Sequence, residues 1–219
     1  MHPRHRPLVL LAWLNVLVHV CAVALAAVAL QPGSPLMEFP DRLAYLAEHP
    51  LAWSLAWGAW MLCALALVAF LACLIRAVPE PAGGLRLALL VAASGAAVDL
   101  FCDVIQITAL PFLASQAPVP IPVFLALERI AGAGGLIVAN GAYSVAVLLA
   151  TLALRGTAGI NAGVVPVGLA VTAAGFVLVV AGFLDSALLA AVGTLPTIGL
   201  FCVWTILVAR SVRGSGKMA

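Results

Sequence analysis

The chain has 219 residues, 65% of them hydrophobic and 8% charged, with a mean hydropathy of +1.23 and a formal net charge of +2. A soluble domain carries about 25% charged residues, so ten Lys and Arg with eight Asp and Glu are too few to solvate a globule of this size. Those figures exclude a soluble globule, a nucleic-acid binder and a disordered regulator, and leave a chain embedded in a lipid bilayer.

A spanning helix takes about 20 apolar residues. Apolar runs bounded by Pro, Gly and charge predict six spans, over 8–30, 51–77, 85–112, 119–155, 164–183 and 196–212. The fold class is therefore all-α: one polytopic membrane domain over 1–219, a six-helix bundle. The first run follows a basic Met1–Pro7 segment, and Ala27-Val28-Ala29 suits a cleavage site. Its apolar stretch of about 22 residues exceeds the 7 to 15 of a signal peptide, and it carries Asn15 and His19, so it is read as a retained span. The one sizeable loop, 31–50, contains Pro40 to Glu48, with Leu43, Leu46 and Ala47 on one helical face. That pattern fits a short amphipathic helix on the membrane surface or an ordinary connector. The last run has two readings. Either Asp185-Ser186 caps a short interfacial helix and the sixth span starts at Pro196, or one helix runs from Ser186 to Val212 through Pro196.

Lys and Arg placement orients the chain. Arg4, Arg6, Arg76, Arg86, Arg155, Arg210, Arg213 and Lys217 fall on one side, and Arg42 on the other with Glu38, Asp41, Glu48 and Asp185. The bias predicts both termini in the cytoplasm, and the texture of the chain is that of small bacterial inner (plasma) membrane proteins. Cys21, Cys63, Cys73, Cys102 and Cys202 all fall within predicted spans without zinc-ligand spacing, and are expected to be reduced, buried side chains.

Ionisable residues inside a span are expensive and are functional-site hypotheses by default. Asp99, Asp103 and Gln106 share one face of the third span, Asn15 and His19 one face of the first, and the fourth carries Glu128, Arg129, Asn140, Tyr143 and Ser144. Counting residues from the helix ends puts Asp103 and Glu128 at matching depth, about 13 Å from the end of their helices. Four independent charges would cost on the order of 10 to 14 kcal/mol, so Arg129 is expected to pair with Asp103. The remaining acids then bind a cation, hold protons or face a water-filled cavity. Trp53, Trp57 and Trp60 form a stripe on the second span. Trp53 reads as a residue of the interfacial aromatic belt, while the deeper Trp60 is placed to contact a cation, either an organic amine or Arg129. The stretch Ala131-Gly132-Ala133-Gly134-Gly135 reads as a close-packing surface, with a hinge or cavity wall as the other reading.

The expected function is binding, and transport, of a small polar or cationic solute or of protons through an Asp/Glu/Arg/His cluster between the first, third and fourth spans. Its candidate residues are Asp99, Asp103, Glu128, Arg129, His19, Asn15, Gln106, Trp60, Asn140 and Tyr143. No cofactor is expected. A divalent metal would suit His19 with the carboxylates, although a single His lies in a span. Partners are the bilayer and the small solute or proton, with a homo-oligomer or partner subunit compatible and no nucleic acid. Two rivals come from other classes: a non-catalytic subunit or assembly factor, and an intramembrane enzyme acting on a lipid or isoprenoid.

Overall fold

A computed structural model describes residues 6–78, 83–157 and 159–215. Arg4, Glu80 and Lys217 lie outside the described residues. Those residues form helices and no strand, and six of the helices are long and apolar enough to cross a membrane. Span 1 is Arg6–Gly33, span 2 Pro50–Ala77, span 3 Gly83–Ala114, span 4 Ile121–Leu154, span 5 Val164–Phe183 and span 6 Ala187–Val212. The chain is an all-α helical bundle and a multi-pass membrane protein.

Each span packs against the next in sequence, and span 1 closes on span 6, so the six helices form a ring. At the end holding both termini, Val9, Ala12 and Trp13 of span 1 lie beside Ile206, Ala209 and Arg210 of span 6. Large apolar side chains such as Leu10, Leu17, Leu62, Phe101 and Phe183 face outward, while Asn15, His19, Asp103 and Ser144 are buried. That is the arrangement expected where the surrounding solvent is hydrocarbon. Two large apolar clusters, with a small one at Cys102, Ile105 and Ala131, fill the ring. One, toward the termini, is built on Leu8, Phe70, Leu74, Leu154, Trp204 and Val208. The other, toward the opposite end, is built on Leu30, Leu46, Trp53, Leu110 and Phe124.

Small residues set the tightest seam. A Cβ placed on Gly168, Gly175 or Gly182 of span 5 would run into Thr151, Ser144 or Ile137 of span 4 respectively. Both sets recur every seven residues in opposite directions, which keeps one face of each antiparallel helix against the other. Close approach of this kind is how helices associate where no hydrophobic effect drives them together. The predicted packing stretch behaves alike at Gly134, whose Cβ would strike Cys102, whereas a Cβ on Gly132 meets open space.

Three spans contain a π turn: Ala26–Leu30 in span 1, Ile105–Ala109 in span 3 and Gly134–Ala139 in span 4. A π turn disturbs the regular helical ladder, and carbonyls released in this way need donors because lipid supplies none. Side chains provide them at Ala29, Gln106 and Ile107, while Gly135 accepts from the Asn140 backbone amide as well as from its side chain. The Tyr45 hydroxyl donates to the Ala29 carbonyl at 2.9 Å, the Trp53 indole to Gln106 at 2.7 Å, Ser54 to Ile107 at 3.3 Å and Asn140 Nδ2 to Gly135 at 2.9 Å. Trp53 is thus no belt residue. It is 3% exposed and ties span 2 to span 3.

The amphipathic pattern in the loop becomes the helix Phe39–Glu48, with Leu46 buried and Tyr45 anchored on span 1. Gly33 admits it, since a Cβ there would come within 2.7 Å of both Leu46 and Trp53. In the last run the continuous reading is the observed one: a single helix, Ala187–Ser215, with Pro196 inside it. Ser186 caps it, its hydroxyl accepting from the Leu189 amide at 3.3 Å. Span 5 ends in a Schellman-type turn, with Ser186 N donating to the Ala181 carbonyl and Asp185 at φ 52°. The five cysteines are free, but only Cys63 and Cys102 are buried as expected; Cys73 and Cys202 are half-buried and Cys21 is exposed on span 1.

Candidate functional site

The residues expected to converge separate into a layer near mid-depth and two ion pairs near the loop end. His19, Asp99, Asn140 and Gly175 lie close to the middle of spans 1, 3, 4 and 5. A cavity of about 70 Å³ occupies this level, lined among others by His19, Asn140, Tyr143, Ser144, Gly175 and Thr197. Such a volume holds a few waters or one very small solute.

Local chemistry fixes each polar group. Asn15 Nδ2 donates to the Leu11 carbonyl at 2.9 Å and to the Ala66 carbonyl of span 2 at 3.0 Å, stapling spans 1 and 2. His19 Nδ1 lies 2.7 Å from the Asn15 carbonyl. A carbonyl only accepts, so Nδ1 carries a hydrogen and Nε2 is the proton-accepting atom of the neutral ring. The imidazole also packs on Phe201, with ring centroids 5.0 Å apart. On the other side of the ring of helices, the Tyr143 hydroxyl donates to Asp99 Oδ2 at 2.9 Å, joining span 4 to span 3. Asp103, one turn from Asp99, is 2% exposed, and its Oδ2 finds no hydrogen-bond partner among the described residues. Gln106 is buried one turn further and contributes its carbonyl to Trp53.

Span 6 supplies a wall that sequence reasoning passed over. Pro196 has no N–H for the Val192 carbonyl, and the next residue, Thr197, turns its hydroxyl back on the Gly193 carbonyl at 2.8 Å. The Pro-Thr pair inside an apolar run was the available signal. Gly175 leaves the space opposite, because a Cβ there would overlap the Ser144 hydroxyl.

Glu128 and Arg129 do not join this layer, and the expected Asp103–Arg129 pair is not formed. Glu128 pairs with Arg42 of the loop helix, and Arg129 pairs with Asp185 after span 5. Helix ends explain the difference. Span 3 continues to Ala114, eleven residues beyond Asp103, while span 4 starts at Ile121, seven residues before Glu128. At about 1.5 Å per residue the two acids differ in depth by about 6 Å, one helical turn. Arg42, the one basic residue predicted for that side, reaches down to meet Glu128. It is 6% exposed, its Nε faces the Gly33 carbonyl at 3.4 Å, and its guanidinium lies 5.7 Å from the centre of the Phe39 ring. Burial lowers the Arg42 pKa and raises that of its neighbour Tyr45. The Arg129–Asp185 side chains are by contrast 70% and 66% exposed. Trp60 packs with Trp57 against the cluster around Leu46 and Trp53, so Arg129 is held by Asp185 and not by an indole.

Among the described residues, no three His, Cys, Asp or Glu side chains come together in a way that would hold a metal ion. The arrangement offers a small, mostly apolar chamber with the His19 imidazole and the Tyr143 ring among its walls, and Asp99 behind Tyr143 with Asp103 one turn further along span 3. Leu67, Val147, Val171 and Phe201 of the apolar cluster toward the termini form part of its lining. No known protein family, curated protein or solved structure matches this chain.

Proposed function

We propose that this protein binds, and moves across the membrane, protons or a very small cationic solute, using the chamber between His19 and Tyr143 together with Asp99 and Asp103. The observation that carries the reading is Asp103: a carboxyl 2% exposed with an oxygen lacking a hydrogen-bond partner, one turn from a second carboxyl in the same span. Each ionised side chain at a helix centre costs roughly 2.5 to 3.5 kcal/mol. The two together therefore oppose insertion by about 5 to 7 kcal/mol, comparable to a whole domain's net stability. With Arg129 and Glu128 engaged elsewhere, no cation among the described residues pairs with them. A bound proton or cation would.

Volume narrows the solute. Pockets for organic ligands measure about 300 to 1,000 Å³, and about 70 Å³ favours a proton carried through water or a cation of ammonium size over an isoprenoid substrate. The inward direction of His19, Asn15, Asp103 and Ser144 favours a pocket over a surface made for a partner subunit. We further propose that both termini face the cytoplasm of a bacterial cell, on the arginine asymmetry. Arg6, Arg76, Arg86, Arg155 and Arg210 lie at one end of the bundle, and Arg42 and Arg129 lie toward the other.

The test is reconstitution of the purified protein into liposomes carrying an interior pH dye, with either a pH step or an ammonium or methylammonium gradient imposed. The wild type should dissipate one of these gradients, and Asp103→Asn should abolish the flux while keeping the helical spectrum and elution volume of the parent. Absence of flux with every cation, or full flux in Asp103→Asn and Asp99→Asn, would reject the proposal.

A further inference from the structure

The first and last spans meet along a second concavity, distinct from the chamber. Val9, Ala12 and Trp13 on span 1 and Ile206, Ala209 and Arg210 on span 6 line a groove of about 150 Å³. It lies near the terminal ends of both helices: Val9 is within one turn of Arg6, and Arg210 is two residues from Val212, where span 6 ends. Half of its lining is apolar, its rim carries a guanidinium, and Trp13 is 53% exposed beside it. Arg210 is exposed and forms no ion pair with any described residue. Arg6 sits at the same end of span 1 and Arg213 three residues further along the chain.

From this juxtaposition we propose that the groove between spans 1 and 6 is a binding site for one anionic phospholipid. An exposed arginine at the depth where a span ends meets the headgroup layer, and its planar fork matches a phosphate bidentately. Below it, Val9, Ala12, Ile206 and Ala209 form a trough for an acyl chain, and Trp13 supplies the amphipathic ring that favours the interface. Arg6 adds local positive charge, so a headgroup with net negative charge is preferred over a zwitterionic one. The occupant is a lipid and not a soluble phosphate, because half the lining is hydrocarbon that a soluble anion would leave uncovered.

The experiment is native mass spectrometry of the full-length protein released from micelles doped with phosphatidylglycerol or phosphatidylcholine. The wild type should retain one phosphatidylglycerol at least fivefold more strongly than phosphatidylcholine, and glycerol phosphate should not compete. Arg210→Gln should lower that retention fivefold or more. Arg86→Gln, an exposed charge at the same end but on span 3, should change it less than twofold, and Trp13→Ala should weaken both lipids. Both exposed positions permit substitution without disturbing the interior, and elution volume checks that each variant is folded. Equal losses in Arg210→Gln and Arg86→Gln would reduce the effect to diffuse charge and overturn the proposal. So would equal retention of the two lipids, competition by glycerol phosphate, or a second copy of the chain filling the groove as a dimer that Arg210→Gln dissociates.

Discussion

The hydroxyl of Tyr143 donates to Asp99 at 2.9 Å, and this bond joins spans 3 and 4 at the edge of the buried chamber. It gives Asp99 a polar partner that Asp103 lacks for its Oδ2. Tyr143→Phe removes the donor and little volume. The expected outcome is a loss of about 1 to 2 kcal/mol in stability, the range for one hydrogen bond to a charged or polar group. Flux should fall tenfold or more, since Asp99 is then held less firmly. Chemical unfolding and the liposome assay on the same preparation check both numbers.

The two ion pairs of span 4 should differ sharply in worth. Arg42 and Glu128 have side chains 7% and 19% exposed, whereas Arg129 and Asp185 are 70% and 66% exposed. Arg42→Ala leaves a largely buried carboxylate without its cation and is expected to destabilise by about 3 kcal/mol. Arg129→Ala should change stability by less than about 1 kcal/mol. Thermal unfolding in one detergent separates the cases, and a double-mutant cycle on Arg42 and Glu128 reads the coupling directly.

At the span 4–span 5 seam, Gly175→Ala should destabilise by about 1 to 3 kcal/mol, the range for overpacking, because the new methyl overlaps the Ser144 hydroxyl. Adding Ser144→Ala removes the overlapping oxygen and should recover a large part of that loss. Additive losses in the double variant would show that the seam is not limited by this contact.

Asp185 sits at φ 52°, a conformation that Asp tolerates and β-branched residues do not. Asp185→Val is expected to lower stability by about 1 to 2 kcal/mol. Asp185→Gly should stay within about 1 kcal/mol of the parent, the gain in backbone freedom offsetting the exposed ion pair. Comparing the two by thermal unfolding isolates the backbone contribution from the charge.

The six spans were legible because hydrocarbon imposes long apolar runs, and Ser186 was legible as a helix cap because its chemistry is local. Depth was harder to read. A four-residue difference at the ends of spans 3 and 4 was enough to move Glu128 and Arg129 one turn away from Asp103. The partners Arg42 and Asp185 come from distant segments whose proximity depends on the ring closing. Trp53 looked like a belt residue because its position in span 2 is shallow. What buries it is a carbonyl released by an irregular turn in another helix, which no periodicity in span 2 encodes. Asp99, Asp103, His19, Asn140 and Tyr143 stood out from polarity alone, since few reasons exist to place such residues in lipid. Thr197 and Gly175 carry no charge and gave no comparable signal.

The π turn Gly134–Ala139 separates two halves of span 4 that do different things. Before it, Glu128 and Arg129 bind partners at the loop end. After it, Asn140, Tyr143 and Ser144 line the chamber. A π turn is in effect one residue added to an α-helix, and one residue of α-helix is a rotation of roughly 100°. The turn therefore acts as a phase shifter, setting the azimuth at which the second half meets Asp99. A single-residue deletion there would close the turn into regular α-helix and keep Tyr143 on its carboxylate, whereas straightening the turn with every residue kept would rotate Tyr143 by roughly 100° and disconnect the chamber from span 3 without removing any of its polar groups.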